Sequence, residues 1–505
     1  MKYFLIPLLV LILTISMTFP LAGEDFNLNQ EDIIKLIEKN NAAVNISGSG
    51  TNLARSVYNQ VLNSANPNIS FTSDSFTNPL YGYSKGVFIP SSPTVIESHT
   101  VSAGIQLSQI LPTGGTASLS VDNSLSLSRE TSNESWGITQ EPEISLNLIQ
   151  PVFSNGSFID FSALENSKRN SLISYEISRM DNLGTKNDVL IAVLSTVHRT
   201  NILRLSKDIM EKGIKLADLK VELARDDRER GRISSSELLG IELDVGRQQE
   251  ALYDMAYQLK ISEMDIERFL GIDNAASYKF NLNLGISVNP DLTKSNSNNN
   301  PDVLKAMMNV EQKELAVLLN NISTAPVLNL FMQAGPRYPE GYSKTSDPVS
   351  SLTDLFSKDA GINVSFGVGF NMDIWDGGVS KSSKETDMIS LDISRQNLKE
   401  SSRAVNENRK VLQGKLELIE DKIELLKINI EYDKQLLERE IDLQKRGSST
   451  NVAVETVRLE LLNRERDLQN IFGEKYITFL QICALDGNSV EDVIKAKFIV
   501  PINYD

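Results

Sequence analysis

The sequence predicts an α+β membrane protein in which strands of barrel type alternate with helices of coiled-coil length, and in which one plan is laid down twice within 505 residues. Three observations carry that prediction. Two unlike hydrophobic periods share the chain, a set of landmarks recurs in one order, and an export-type leader is followed by no apolar run long enough for a membrane helix.

The strands rest on a period of two. Residues 362–374 place Ile362, Val364, Phe366, Val368, Phe370, Met372 and Ile374 on one face, opposite Asn363, Ser365, Gly367, Gly369, Asn371 and Asp373. Residues 116–128 repeat this with Leu119, Val121, Leu125 and Leu127 against a row of serines. Weaker alternation marks 67–76, 101–111, 143–152 and 326–334, and Pro112-Thr113-Gly114-Gly115 reads as a hairpin turn. Several of these segments approach the roughly 9–11 residues that a tilted membrane strand needs.

The helices rest on a different period. Between 379 and 446 there is no proline and one glycine, Gly414, while Val405, Leu412, Leu416, Ile419, Ile423, Leu426, Ile430 and Leu437 mostly recur every three or four residues. A helix of that length runs on the order of 100 Å. Taken alone, it reads as a structural coiled coil at the cell surface or in the periplasm, without a pore. The strands weigh against that alternative, because a rod has no use for them.

Lys2, the apolar run 5–17 and Pro20-Leu21-Ala22-Gly23 form a secretory signal peptide over residues 1–23. A net charge of −16 argues against nucleic acid as a partner. One cysteine, Cys483, excludes an intrachain disulfide, and two histidines, His99 and His198, cannot supply a histidine-rich metal site. No nucleophile–base pair, metal cluster or phosphate loop emerges, so no enzyme activity, catalytic residue or cofactor is expected. His198 is expected to be packed or solvated rather than a ligand, and Cys483, among Phe479, Leu480, Ile482 and Leu485, a buried thiol.

The repeat organises the rest. Asn41-Ala42-Ala43-Val44 corresponds to Asn300-Pro301-Asp302-Val303, each opening a helix. A strand ending near Asn155-Gly156 corresponds to one ending at Trp375-Asp376-Gly377-Gly378, and each leads into a long polar helix. That helix turns at Arg230-Gly231-Arg232 in the first copy and at Arg446-Gly447-Ser448 in the second, before an amphipathic return. The expected divisions are a first repeat over 24–288, a linker rich in Asn, Ser and Pro over 289–301, a second repeat over 302–487 and a tail over 488–505.

Six strand segments are too few to close a membrane barrel, and an open edge in lipid is not viable. Strands in a membrane therefore require several chains to share one barrel, with the long helices continuing it as a tube. A passive conduit needs no catalytic residues.

The duplicated plan, the Asn-Pro-Asp-Val helix start, the Trp375-Asp376-Gly377-Gly378 corner and the Arg-Gly turns together resemble the TolC-type outer-membrane efflux protein family over essentially the whole mature chain. The resemblance implies a homotrimer with a shared 12-stranded barrel in outer-membrane lipid, four strands per protomer, and an α-helical coiled-coil tunnel in the periplasm. It also implies a periplasmic adaptor (membrane fusion) protein and an inner-membrane transporter of the RND or ABC class, which export small toxic compounds or proteins. The turns carrying Arg230, Gly231, Arg232, Arg446, Gly447 and Ser448 would dock the adaptor. Glycine at 231 and 447 also suits a plain helix C-cap, and the arginines suit either an acidic partner or scattered surface charge.

Two departures stand out. Six strands exceed four, and the surplus hairpin 101–128 either enlarges the barrel or lies outside the membrane. The acidic ring that the family often places after the second turn falls on Ala453 and Thr456; the nearby carboxylates are Asp226, Asp227, Glu237 and Glu455, read either as entrance groups or as a solvated helix face. Trp136, Trp375, Tyr81, Tyr83, Tyr338 and Tyr342 are expected as interfacial aromatics, an extracellular loop being the alternative for Tyr81 and Tyr83.

Overall fold

The computed structural model describes residues 26–73, 81–88, 94–130, 136–154, 157–158, 162–282, 299–323, 326–337, 361–372 and 374–495. The leader 1–23, the linker up to residue 298, Tyr338 and Tyr342 lie outside the described residues. The chain divides into two compact units, one of Met1–Gly50, Arg179–Lys305 and Lys399–Asp505, the other of Thr51–Ser178 and Ala306–Leu398. Each repeat contributes to both units, so the contact units cut across the duplication.

The first unit is built on helices. Strand β1 (Phe26–Asn29) leads into α1 (Gln30–Asn40), which Asn29 and Asp32 start with a reciprocal capping box: the Asp32 amide donates to Asn29 Oδ1 at 2.9 Å. Helix α2 (Ala42–Asn63) follows at once. Two very long helices, α3 (Ser162–Glu229) and α6 (Val379–Lys445), each turn back into a return helix, α4 (Ser235–Leu270) and α7 (Asn451–Leu485). A short strand β8 (Tyr278–Asn281) pairs in parallel with β1, and α5 (Pro301–Ser323) opens the second repeat; most of α2 and α5, the start of α3 up to Ser178 and the start of α6 up to Leu398 belong to the second unit. The two short strands escape the periodicity argument because four residues show no period.

The core of this unit gathers Ile33, Ile34 and Ile37 of α1, Val193, Leu194 and Val197 of α3, Ile266 and Leu270 of α4, and Tyr476, Phe479 and Leu480 of α7. Removing such a side chain to alanine costs about 2–5 kcal/mol. Cys483 lies in this cluster, and burial pushes its thiol up to about 12. A last helix, α8 (Val490–Lys495), packs Val490 and Ile494 against the same cluster, so the start of the 488–505 segment is part of the body. Asn187 fastens it by accepting the Val490 amide at 2.9 Å and donating to the Asn488 carbonyl at 3.0 Å.

The duplication is visible in hydrogen bonds. Asn41 Oδ1 accepts the amides of Ala43 and Val44 while its Nδ2 donates to the Phe269 carbonyl at 3.2 Å. Asn300 does the same with Asp302, Val303 and, at 3.0 Å, the Leu485 carbonyl. One side chain in each repeat thus caps the start of one helix and the end of that repeat's return helix, satisfying orphan donors and acceptors together.

The second unit holds one antiparallel sheet. Its strands are β2 (Asn68–Thr72), β3 (Gly82–Phe88), β4 (Thr94–Ile110), β5 (Thr116–Glu130), β6 (Gly137–Ser154), β7 (Ser157–Phe158), β9 (Val327–Arg337) and β10 (Gly361–Asn371). The order is β10-β9-β6-β5-β4-β2, with β3 also on β4 and β7 on the end of β6. Strand β2 pairs with 104–108 of β4 and β3 with 94–100, so β2 and β3 occupy one lane in succession. Among the described residues the sheet therefore has six long lanes, four from the first repeat and two from the second. The hairpin 101–128 is not peripheral: β4 and β5 pair with each other and are flanked on both sides.

Candidate functional site: a two-faced sheet and two hairpin turns

Directly opposed residues of antiparallel strands share a face, so the register assigns every side chain. Leu107, Leu119, Leu146, Ala334 and Val364 form one rung across five lanes, and Ile105, Val121 and Ile144 form another. On the outermost lanes Ile69, Phe71, Phe366, Val368 and Phe370 continue this face and are among the most exposed apolar residues of the chain. A continuous apolar surface of this extent on a sheet marks contact with lipid or protein rather than water.

The apolar face ends in a belt of rings and charges. Tyr81 Oη bonds His99 Nδ1 at 2.9 Å, and the His99 ring lies 5.1 Å from Tyr83 and 5.4 Å from Trp136. Arg129 stacks over Trp136 at 4.9 Å and, with Lys85, brackets Glu97 at 3.2 and 2.8 Å. Tyr83, Lys85, Glu97, His99 and Arg129 all fall on the apolar face by register. Aromatic rings with paired charges at the end of an apolar band have the chemistry of a membrane interface. Trp375 is also exposed, at the corner where Asp376 accepts the amides of Gly378 and Ser380 to start α6.

The other face is polar. Ser118, Ser120, Asp122, Ser124 and Ser126 of β5 face Asn147, Ser145 and Glu143 of β6, with Ser120 and Ser145 bonded at 2.7 Å. Phe331 interrupts it, lying over Gly369, where a Cβ would overlap its ring. Asp122 and Glu143 sit directly opposite each other, an arrangement that is tolerable only in contact with water or counter-ions.

In the helical unit, the two hairpin turns are built identically. Gly231 has φ +69 and Gly447 φ +74. Arg232 N bonds the Asp227 carbonyl at 2.8 Å and Gly231 N that of Arg228 at 2.9 Å; Ser448 N bonds Leu443 at 2.8 Å and Gly447 N bonds Gln444 at 2.9 Å. Both are Schellman motifs, which need the left-handed conformation that glycine adopts without strain. Each return helix is capped by a hydroxyl, Ser234 accepting from Glu237 N and Thr450 from Ala453 N, both at 3.2 Å.

The charged residues of the turns are locally engaged. Arg232 pairs with Asp227 at 3.1 Å, Arg230 with Asp226 at 4.0 Å, Arg446 with Asp442 at 3.3 Å and Glu455 with Arg458 at 2.6 Å. Exposed pairs of this kind contribute at most about 1 kcal/mol and open easily to another partner. Glu237 returns a 2.7 Å bond to the Ser234 amide, and that bond holds its carboxyl below the usual range. Among the described residues no group of three or more His, Cys, Asp or Glu is placed to hold a metal, and no helix is long and apolar enough to cross a membrane.

His198 is buried, with Nε2 3.2 Å from the Asn470 carbonyl, so the proton resides on Nε2. Burial lowers its pKa. Its ring fills the space left by Gly473, where a Cβ would overlap it.

No family model matches the chain, and no curated protein matches it in sequence. Solved structures do match in fold. The outer membrane protein VceC of Vibrio cholerae superposes with a TM-score of 0.60 at 11% identity, covering 91% of this chain and 96% of that one. The CmeC outer membrane channel of Campylobacter jejuni gives 0.59 at 12% identity over 93% and 89%. The open state of the MtrE outer membrane channel of Neisseria gonorrhoeae gives 0.55 at 10% identity over 91% and 89%. At such identities the likeness establishes the fold, and the chain has the fold of these outer membrane channels.

Proposed function

We propose that the protein is an outer-membrane channel, the passive exit duct of a tripartite efflux or secretion system, with its sheet in the membrane and its long helices forming a tunnel in the periplasm. The observation that carries this reading is the sheet: one exposed apolar face, bounded by the ring-and-charge belt around His99, backed by a polar serine-rich face. Such a surface suits lipid on one side and a water-filled lumen on the other. A pore-free structural coiled coil leaves that face without a purpose.

Among the described residues, β10 and the β2–β3 lane have no partner on their outer sides. Because six lanes alternate in direction, these two edges run antiparallel, and copies can join edge to edge in a closed ring. With the homotrimer that the family resemblance implies, three copies of six lanes close an 18-stranded barrel in place of 12. Barrel diameter grows roughly in proportion to strand number, so the exit is about half as wide again. The equivalent turns at Gly231 and Gly447 are the docking points for a periplasmic adaptor, and an RND or ABC transporter of the inner membrane supplies the cargo.

Detergent-extracted protein is expected to be trimeric, to resist carbonate extraction from membranes and to conduct ions in planar bilayers. A water-soluble monomer without conductance sinks the reading. Electron microscopy of the trimer then counts the strands, and a 12-stranded ring with a separate hairpin removes the wide barrel while leaving the channel.

A further inference from the structure

The belt around His99 sets two cations, Lys85 and Arg129, against one carboxylate, Glu97, in a chain whose net charge is −16. Its place in the sheet follows from chain order. Helices α2, α3, α5 and α6 all join the sheet at one end, where Asn68 of β2 pairs with Ser108 of β4. His99 and Glu97 lie at the other end of β4. With the helices in the periplasm, the belt stands at the outer leaflet.

The two cations are already held at a spacing that suits a phosphate. Glu97 Oε1 accepts from Lys85 Nζ at 2.8 Å and Oε2 accepts from Arg129 Nη2 at 3.2 Å. Two oxygens carried by one atom thus bridge the pair, and a phosphate presents two oxygens on one atom in the same way. Glu97 is mostly covered, while Lys85 and Arg129 are about half exposed. One positive charge is left over, and among the described residues no second carboxylate falls on this face of the belt by register. Stacking over Trp136 orders the Arg129 guanidinium without using its N–H donors. From the belt toward the helical end, the same face offers a track for acyl chains: Val101 pairs with Leu125, Ile105 with Val121 and Leu107 with Leu119.

We propose that Lys85 and Arg129 hold the phosphate of an anionic lipid of the outer leaflet, whose acyl chains lie along the β4–β5 face. This deepens the channel reading and rests on it. A belt of aromatic rings alone discriminates little among headgroups, whereas two cations facing one carboxylate select a phosphate that carries net negative charge. Glu97 competes with the lipid for both cations and sets the strength of its binding.

The test uses the full-length protein carrying Trp375→Phe, which leaves Trp136 as its one tryptophan, in phosphatidylcholine vesicles. Brominated phosphatidic acid is expected to quench Trp136 at a mole fraction on the order of tenfold lower than brominated phosphatidylcholine. Lys85→Gln and Arg129→Gln are each expected to remove most of that preference, Lys85→Arg to keep it and Glu97→Gln to increase it. Because both lipids are compared in the same variant, general damage to the fold does not reproduce this pattern. Inorganic phosphate at matched ionic strength is expected to leave the quenching unchanged; full displacement by it reveals a site for the free ion and overturns the lipid. Equal quenching by the two lipids, or a preference that survives loss of both cations, overturns the proposal while the channel stands. A protein that stays in the aqueous phase and is quenched by neither lipid overturns the channel reading itself.

Discussion

The two repeats agree closely in their helical hairpins and disagree in their strands. Gly231 and Gly447 close the same Schellman motif, and Asn41 and Asn300 bridge the same pair of helix ends. Between those landmarks the first repeat lays down four sheet lanes and the second lays down two. The difference has a physical basis. A hairpin turn is held by local backbone geometry that admits few substitutes. An antiparallel sheet accepts a whole hairpin at no topological cost, because two added strands leave the direction of every neighbour unchanged. Pairs of strands are the unit by which this sheet can grow, and β4 with β5 is such a pair.

The largest expected effect comes from removing that pair. Deleting residues 94–135 leaves β3 running into β6, which are already antiparallel. The shortened trimer is expected to form a barrel about two-thirds as wide, read as the ring diameter in electron micrographs and as a smaller polymer-exclusion limit in bilayers. An unchanged diameter breaks the comparison, since the hairpin would then lie outside the ring. Thermal unfolding of the helical unit is expected to be the same with and without the hairpin.

The next effect probes a site where the hairpins themselves differ. Gly473→Ala places a methyl into the His198 ring inside a packed helical contact, and overpacking of this kind costs about 1–3 kcal/mol. Tyr257, the residue at the matching position of the first repeat, is exposed, and its replacement by alanine leaves the unfolding of a dissociated chain within about 0.5 kcal/mol of wild type. Smaller than the Gly473→Ala effect is Gly→Ala at either turn. The left-handed conformation penalises a side chain by about 1–2 kcal/mol, and with open space around both positions the two variants should lose equal stability in chemical denaturation. Unequal losses would show that the turns only look alike.

Much of this was legible in the chain, for reasons that differ from element to element. Strand β5 is readable because serines alternate with aliphatic residues on both sides of Asp122-Asn123, and α6 because no proline breaks its period. Strand β3 is not, since Gly82, Lys85 and Gly86 blur its alternation, and β4 begins seven residues before 101 because Glu97 and His99 stand on the apolar face. Those polar residues are acceptable there only through Lys85, Arg129, Tyr81 and Trp136, which reach them across strands. The same long-range pairing hid the belt: its members are scattered from 81 to 136, and only register brings them together. The turns could be located from Arg-Gly in both repeats, but not the commitment of Glu237 to its own helix cap, which needs the rotamer as well as the spacing.

That commitment supplies the finest separation of the two hairpins. The first return helix starts with a full capping box, Ser234 with Glu237, while the second has Thr450 with Ala453, which has no side chain to reach back. Glu237 is held below the ordinary carboxylate range first by the Ser234 amide and then by its hydroxyl. A carboxyl whose folded pKa is depressed contributes stability that is present above its unfolded pKa and lost as the pH falls through the folded one. Protonation of Glu237 therefore weakens the first cap and has no counterpart at the second. Glu237→Gln keeps an acceptor of the same reach but carries no titrating charge. Hydrogen exchange of the amides following Ser234 is expected to quicken in wild type as the pH drops through the carboxylate range, beyond the intrinsic trend, and to stay flat in the variant. The amides following Thr450 should show no such break in either protein. A matching break at Thr450 would mean that the acid sensitivity belongs to the hairpins as a whole and not to the one carboxylate that distinguishes them.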